Sequence, residues 1–327
     1  MRSTATREIP VPVHRVDGHR YRATAQVEVT AAAVREFARA VRDVHPAHSS
    51  AAAAAELGYP ALIAPPTWSS IVLGRVQREI LDIVGSGSGR ARILHADQVI
   101  DIGRPLFAGD LLGCDIYFES FRQFADYDVM AIRSALIAAD GTVVQTGSAA
   151  LLARTGERES VLGEVARRIT ERGYARVDGP AREAPLPART DRAPRPAVRF
   201  DELAPGAELP PGSLLLAHED LARFAAATGE PARPDAGGTA PGMLQLGLAS
   251  GYVSNWLGDP GAVTRIRAQF GSFTHYLRIP AAGAVAVTLR GRVDQLDPRT
   301  RRATLALDLR SGGRPLFGYA AAEIRFP

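Results

Sequence analysis

The chain has 327 residues, a length that predicts two domains of about 150 residues each, and its 46% hydrophobic content suits packed cores, not disorder. All 39 basic residues are arginine, and the absence of lysine excludes P-loop nucleotide hydrolysis, Schiff-base chemistry and pyridoxal chemistry, each of which needs a lysine amine. The net charge of +4 is scattered among acids and not clustered with aromatics, so nucleic acid is not an expected partner. One cysteine, Cys114, leaves no internal disulfide and no cysteine metal cluster. No run of 18 apolar residues and no apolar stretch near the N-terminus occur, so the expectation is a cytoplasmic protein without a membrane partner.

In chain order, Glu8 to Val16 and Tyr21 to Val29 read as strands joined by an Asp17-Gly18 turn. Thr30 is placed to cap a helix over 31–42, with Val34, Phe37, Ala38 and Val41 on one face. A short helix over 51–57 ends at Gly58, and an apolar, proline-ended loop over 59–66 leads into a long helix over 67–84. That helix is apolar over much of its surface, as a helix wrapped by a sheet would be. Gly85 to Gly89 follows a helix instead of opening one, so it reads as a connector and not a phosphate loop. Four long strands, 93–102, 111–121, 128–138 and 143–153, are separated by hairpin signals and imply an antiparallel sheet.

The second half repeats the first. Phe37-Ala38 recurs as Phe224-Ala225, Asp43 as Glu230 and His48 as Asp235, at one constant spacing. Ala64-Pro65-Pro66-Thr67 recurs as Ala240-Pro241-Gly242-Met243 at a shorter spacing, and Gly147-Ser148-Ala149 as Gly318-Tyr319-Ala320 at a shorter one still. Spacings that fall along the chain imply a duplicated domain with deletions in the second copy. The expected organisation is an N-terminal domain over 1–154, a linker over 155–196 with a surface helix and a Pro-rich stretch, and a C-terminal domain over 197–327.

The stretch that carries chemistry is Asp43-Val44-His45-Pro46-Ala47-His48, on a proline-stiffened turn just past a helix. A carboxylate and an imidazole five residues apart can share one water or one substrate proton. The same spacing equally fits side chains that only cap local backbone. Ala38 to His48 resembles the A-x-x-x-G-D-x-N-P-x-H motif of the MaoC-like (R)-hydratase and (3R)-hydroxyacyl dehydratase family, with Arg42 at its glycine and His45 at its asparagine. The Ala64-Pro65-Pro66-Thr67 step is similar to the A-P-P-T step of fused or heterodimeric acyl dehydratases, which stands where others carry A-H-G-M. One long helix followed by long antiparallel strands, occurring twice, matches that family's fold, an α+β double hotdog.

The resemblance implies dehydration or hydration of a β-hydroxyacyl (3-hydroxyacyl/2-enoyl) thioester on CoA or an acyl carrier protein, in polyketide or fatty-acid type metabolism. It assigns His48 to the Cα proton and Asp43 to the departing β-hydroxyl, with no cofactor and no metal. An enolate needs backbone donors at the start of the buried helix. Pro66 has no N–H to give, so Thr67 becomes the nearest donor in the first half and Gly242 the donor kept in the second. Tyr59, Ala64, Pro65, Pro66, Thr67, Trp68 and Gly242 form the expected substrate-binding set, although aromatics at such positions also serve as plain core. Two other readings stay open: a hotdog cyclase acting on a polyketide intermediate, and a non-catalytic acyl-binding or partner-binding module. Assembly of the two-hotdog chain into a homodimer is open as well.

Overall fold

A computed structural model describes residues 16–83, 93–155, 160–172, 184–229, 238–270 and 277–327. The strand expected over residues 8–16, the glycine-rich connector, Glu230 and Asp235 lie wholly or almost wholly outside these residues.

The first half opens with β1 (His19–Arg22) and β2 (Val27–Glu28), two short pieces where one strand was expected, both paired with β4. The helix α1 (Ala31–Ala40) follows, capped as expected by the Thr30 hydroxyl, which accepts from the Ala33 N–H at 3.1 Å. Next come α2 (Ala51–Glu56) and the long α3 (Ser69–Ile83). The strands β3 (Ile93–Ile102), β4 (Leu111–Gln123), β5 (Tyr127–Ala138) and β6 (Val143–Arg154) fall where the apolar runs predicted them. The helix α4 (Val161–Arg172), expected as a surface helix, packs Leu162, Val165, Ala166 and Ile169 against the first-half sheet, because these residues form one stripe at helical spacing.

The second half runs through β7 (Gly212–Ala217), α5 (His218–Thr228), β8 (Gly238–Thr239) and α6 (Gly242–Leu257). It ends in β9 (Val263–Phe270), β10 (Arg278–Ile279), β11 (Ala284–Asp297), β12 (Arg302–Ser311), β13 (Arg314–Pro315) and β14 (Phe317–Arg325). Ten strands follow one antiparallel path, β1-β4-β5-β6-β3-β9-β14-β12-β11-β7. The halves meet at β3 and β9, where Arg267 pairs with Asp97 at 2.8 Å and Arg265 with Asp101 at 3.1 Å. The fold is a double hotdog in which α3 and α6 are the central helices. Most of α6 is buried, which is why its sequence is apolar on nearly every face.

The Pro-rich stretch is fixed across both halves and does not behave as a loose tether. Ala188 N–H donates to Val143 O, Thr190 N–H to Gly103 O and Ala197 N–H to Leu257 O. Arg192 reaches both Leu57 O and the buried Asp259, while Arg325 donates to Thr190 O. Its composition reports the absence of regular structure, not the absence of partners. Among the described residues no helix is long and apolar enough to cross a membrane.

Candidate active site

The dyad sits where α1 stops. Val41 closes the helix, and Arg42 turns the chain with a left-handed φ of 55°, the conformation for which the motif uses glycine. At the matching point of the second half, Gly229 ends α5 with φ 67°. Arg42 is held by Asp220 of α5, whose buried carboxylate takes Arg42 Nη2 at 2.6 Å and Arg223 Nη1 at 2.9 Å.

After that turn, Asp43 is buried, Val44 is 78% exposed, and His45 and His48 are buried again. His48 Nε2 lies 3.1 Å from Asp43 Oδ2, an ion-pair distance, and neither atom has a hydrogen-bond partner among the described residues. The other ring nitrogen, Nδ1, is 2.7 Å from the Ile63 carbonyl, which can only accept, so Nδ1 carries a proton. A neutral His48 therefore turns its Nε2 lone pair toward the Asp43 carboxylate. Burial is the largest influence on His48 and works to lower its pKa. The adjacent Asp43 charge, with the Ile63 O hydrogen bond, outweighs it and holds the imidazole above its ordinary range.

His45 has a different role. Its Nδ1 accepts from the Ala47 N–H at 3.2 Å, and Nε2 donates to Gly258 O at 3.0 Å. Burial lowers its pKa, so it is a neutral brace that ties the turn to the end of α6, as a hydrogen-bonding replacement for asparagine should.

The structure brings together two expected groups of residues. The Ile63 carbonyl joins the dyad to the loop bearing Ala64, Pro65, Pro66, Thr67 and Trp68, all buried. Neither the amide nor the hydroxyl of Thr67 has a hydrogen-bond partner among the described residues. Trp68 packs wholly inside the core. Tyr59 turns elsewhere: its hydroxyl donates to Asp259 and accepts from the Gly261 N–H at 3.0 Å, while Arg192 lies 4.1 Å over its ring. Gly242 opens α6 against the Phe270 ring, whose edge would stand 3.0 Å from a Cβ there.

Sequence reasoning missed that α6, from the opposite half, forms the floor under the dyad. A Cβ on Gly251 would stand 3.0 Å from Asp43 Cβ, and one on Gly247 2.4 Å from Val41 Cγ1. Asn255 Nδ2 donates to Gly251 O at 2.6 Å and approaches Asp43 Oδ1 at 3.4 Å. Gly247, Gly251 and Asn255 recur every four residues, one helix face, so the stripe was visible in the sequence although its partner was not. Among the described residues no three His, Cys, Asp or Glu side chains converge as metal ligands.

Comparison with known proteins agrees with this architecture. Residues 15–146 match a family described as the FAS1-like, dehydratase domain region. A UPF0336 protein of Mycolicibacterium paratuberculosis is 35% identical over 152 residues, 46% of this chain and 87% of the relative. One from Streptomyces coelicolor is 35% identical over 140 residues, 43% of this chain and 93% of the relative. A solved MaoC-like dehydratase is 29% identical, with a TM-score of 0.79 over 95% of this chain and 99% of that one. A conserved hypothetical protein of Mycobacterium tuberculosis with a double hotdog fold shares the fold at 13% identity, with a TM-score of 0.62 over 95% of this chain and 96% of that one. The chain belongs to the UPF0336 family of the MaoC-like hotdog dehydratases.

Proposed function

We propose that the protein interconverts a 3-hydroxyacyl and a 2-enoyl thioester, with CoA or an acyl carrier protein as the thioester carrier. The observation that carries this reading is the buried pair itself, with His48 Nε2 3.1 Å from Asp43 Oδ2 and His48 Nδ1 tied to Ile63 O. In this reading the pair shares one proton; with that proton on Asp43, His48 Nε2 is a free base and Asp43 an acid, the two groups a β-elimination needs.

In the dehydrating direction the Cα–H bond breaks and its proton goes to His48 Nε2. The Cβ–O bond breaks as the hydroxyl takes the Asp43 proton and leaves as water. The electron pair from Cα–H becomes the new C=C bond, so no oxidant or cofactor enters the balance. The proton on Nε2 then crosses the 3.1 Å to Oδ2 and resets the pair. The unpartnered N–H and hydroxyl of Thr67, on the loop that anchors His48 through Ile63 O, are the donors offered to the thioester oxygen.

The test is hydration of crotonyl-CoA and longer 2-enoyl thioesters, followed by loss of the enoyl absorbance. Asp43→Asn and His48→Ala should each lower kcat by a factor of at least about 100 with the fold retained. Wild-type rates in both variants would sink the reading. Failure to hydrate any chain length, on CoA or carrier protein, would also overturn it.

A further inference from the structure

A cavity of about 90 Å³ lies between α3 and the first-half sheet, apart from the dyad. Ser70, Gly74, Gln77 and Leu81 line it from α3, α4 closes one side, and Met243 of α6 stands at its end. Met243, Gly247 and Gly251 succeed one another along α6 at roughly one-turn spacing. Gly247 meets Val41 and Thr67, and Gly251 meets Asp43. Met243 and Gly251 are therefore about 12 Å apart along the helix. A chain with its reacting carbons at the dyad reaches this cavity only with its distal part.

The wall is not uniformly apolar. His95 and Gln98 of β3 and Ser134 of β5 line it together. In an uninterrupted strand, residues 95 and 98 point to opposite faces. The register of β3 against β6 shifts between His95 and Asp97, and this bulge brings both side chains to the cavity side. Gln98 is occupied, since Nε2 donates to Val99 O at 2.9 Å and to Ser148 O at 3.3 Å. The His95 ring makes no hydrogen bond among the described residues, and its neighbour is the Phe270 ring at 6.4 Å. The ring is partly buried and lines the cavity. Burial pulls its pKa down to about 4, so near neutral pH it offers one donor and one acceptor nitrogen. Ser70 Oγ is also buried without a hydrogen-bond partner among the described residues.

We propose that this cavity binds the distal part of a long acyl chain carrying a hydroxyl or keto oxygen, and that His95 hydrogen-bonds to that oxygen. A plain alkyl tail would bury the imidazole unpaired, which costs free energy, whereas an oxygenated tail pairs it. The identity of the ligand as an acyl thioester rests on the function proposed above.

Equilibrium binding of saturated twelve-carbon thioesters, which cannot be hydrated, separates the two. The plain chain is compared with a set carrying one hydroxyl at successive distal carbons, by calorimetry on the full chain. At least one hydroxylated isomer should bind about fivefold tighter than the plain chain. His95→Leu should abolish that preference and His95→Gln should keep part of it. Equal affinity of the plain chain and every isomer, a preference that survives His95→Leu, or no binding of any chain overturns the proposal. Hydration of 2-enoyl thioesters from crotonyl-CoA upward is measured in parallel. Its absence at every chain length beside a hydroxyl preference sinks the dehydratase reading alone, and its presence without a hydroxyl preference sinks the cavity proposal alone.

Discussion

Arg42 carries a backbone cost and a compensating ion pair that two substitutions can separate. Its φ of 55° places an L-residue in the left-handed region, at about 1 kcal/mol relative to glycine. Its guanidinium supplies one of two cations on the buried Asp220, and Arg223 remains when it is gone. A hydrogen bond to a charged group contributes about 1.5–3 kcal/mol, and the lower end applies because the Arg42 side chain is 37% exposed. Arg42→Ala loses the pair and keeps the strained turn, so it should destabilise by about 1.5 kcal/mol. Arg42→Gly loses the pair but relieves the turn, leaving about 0.5 kcal/mol. Urea unfolding followed through the fluorescence of Trp68 and Trp256, with equal m-values, measures both. Equal destabilisation, or a worse result for glycine, would refute the claim that Arg42 occupies a glycine position at a cost offset by Asp220.

Gly251→Ala should place a methyl 3.0 Å from Asp43 Cβ and displace the dyad by a few tenths of an ångström. Hydration kcat should fall at least about tenfold for a stability loss of about 1–3 kcal/mol, and an unchanged kcat would show that α6 does not set the position of Asp43. The pair works with one shared proton, so kcat/KM should decline as pH rises through a value above 6.5, the ordinary imidazole pKa. In Asp43→Asn the raising charge is gone and burial prevails, so the residual activity should titrate below 6.5 instead; an unmoved profile would argue against the coupling. The stability carried by His48 follows the same sign, fully present below its unfolded pKa and lost as pH rises through the raised folded value.

The long strands of the first half were legible because apolar and β-branched runs between turn signals have few other uses, and β3 begins and ends where its run does. The Thr30 cap was legible because the hydroxyl contact is local. The buried face of α4 was readable in the spacing of Leu162, Val165 and Ile169, but the charges between them mask it as a surface helix. The pinning of residues 184–197 was not readable, since it depends on carbonyls of distant strands and on arginines that look solvated in a sequence. For the site, the dyad spacing could be seen at once. The role of α6 could not, because which helix lies beneath Asp43 is decided by how the two halves pack.

The most direct measurement is hydration of a 2-enoyl thioester in D2O with the product read by mass spectrometry and NMR. The account predicts a 3-hydroxyacyl thioester carrying one deuterium at Cα, formed by the wild-type chain and lost in both His48→Ala and Asp43→Asn. An enoyl thioester returned unchanged, or product formed equally well without either side chain, would contradict it.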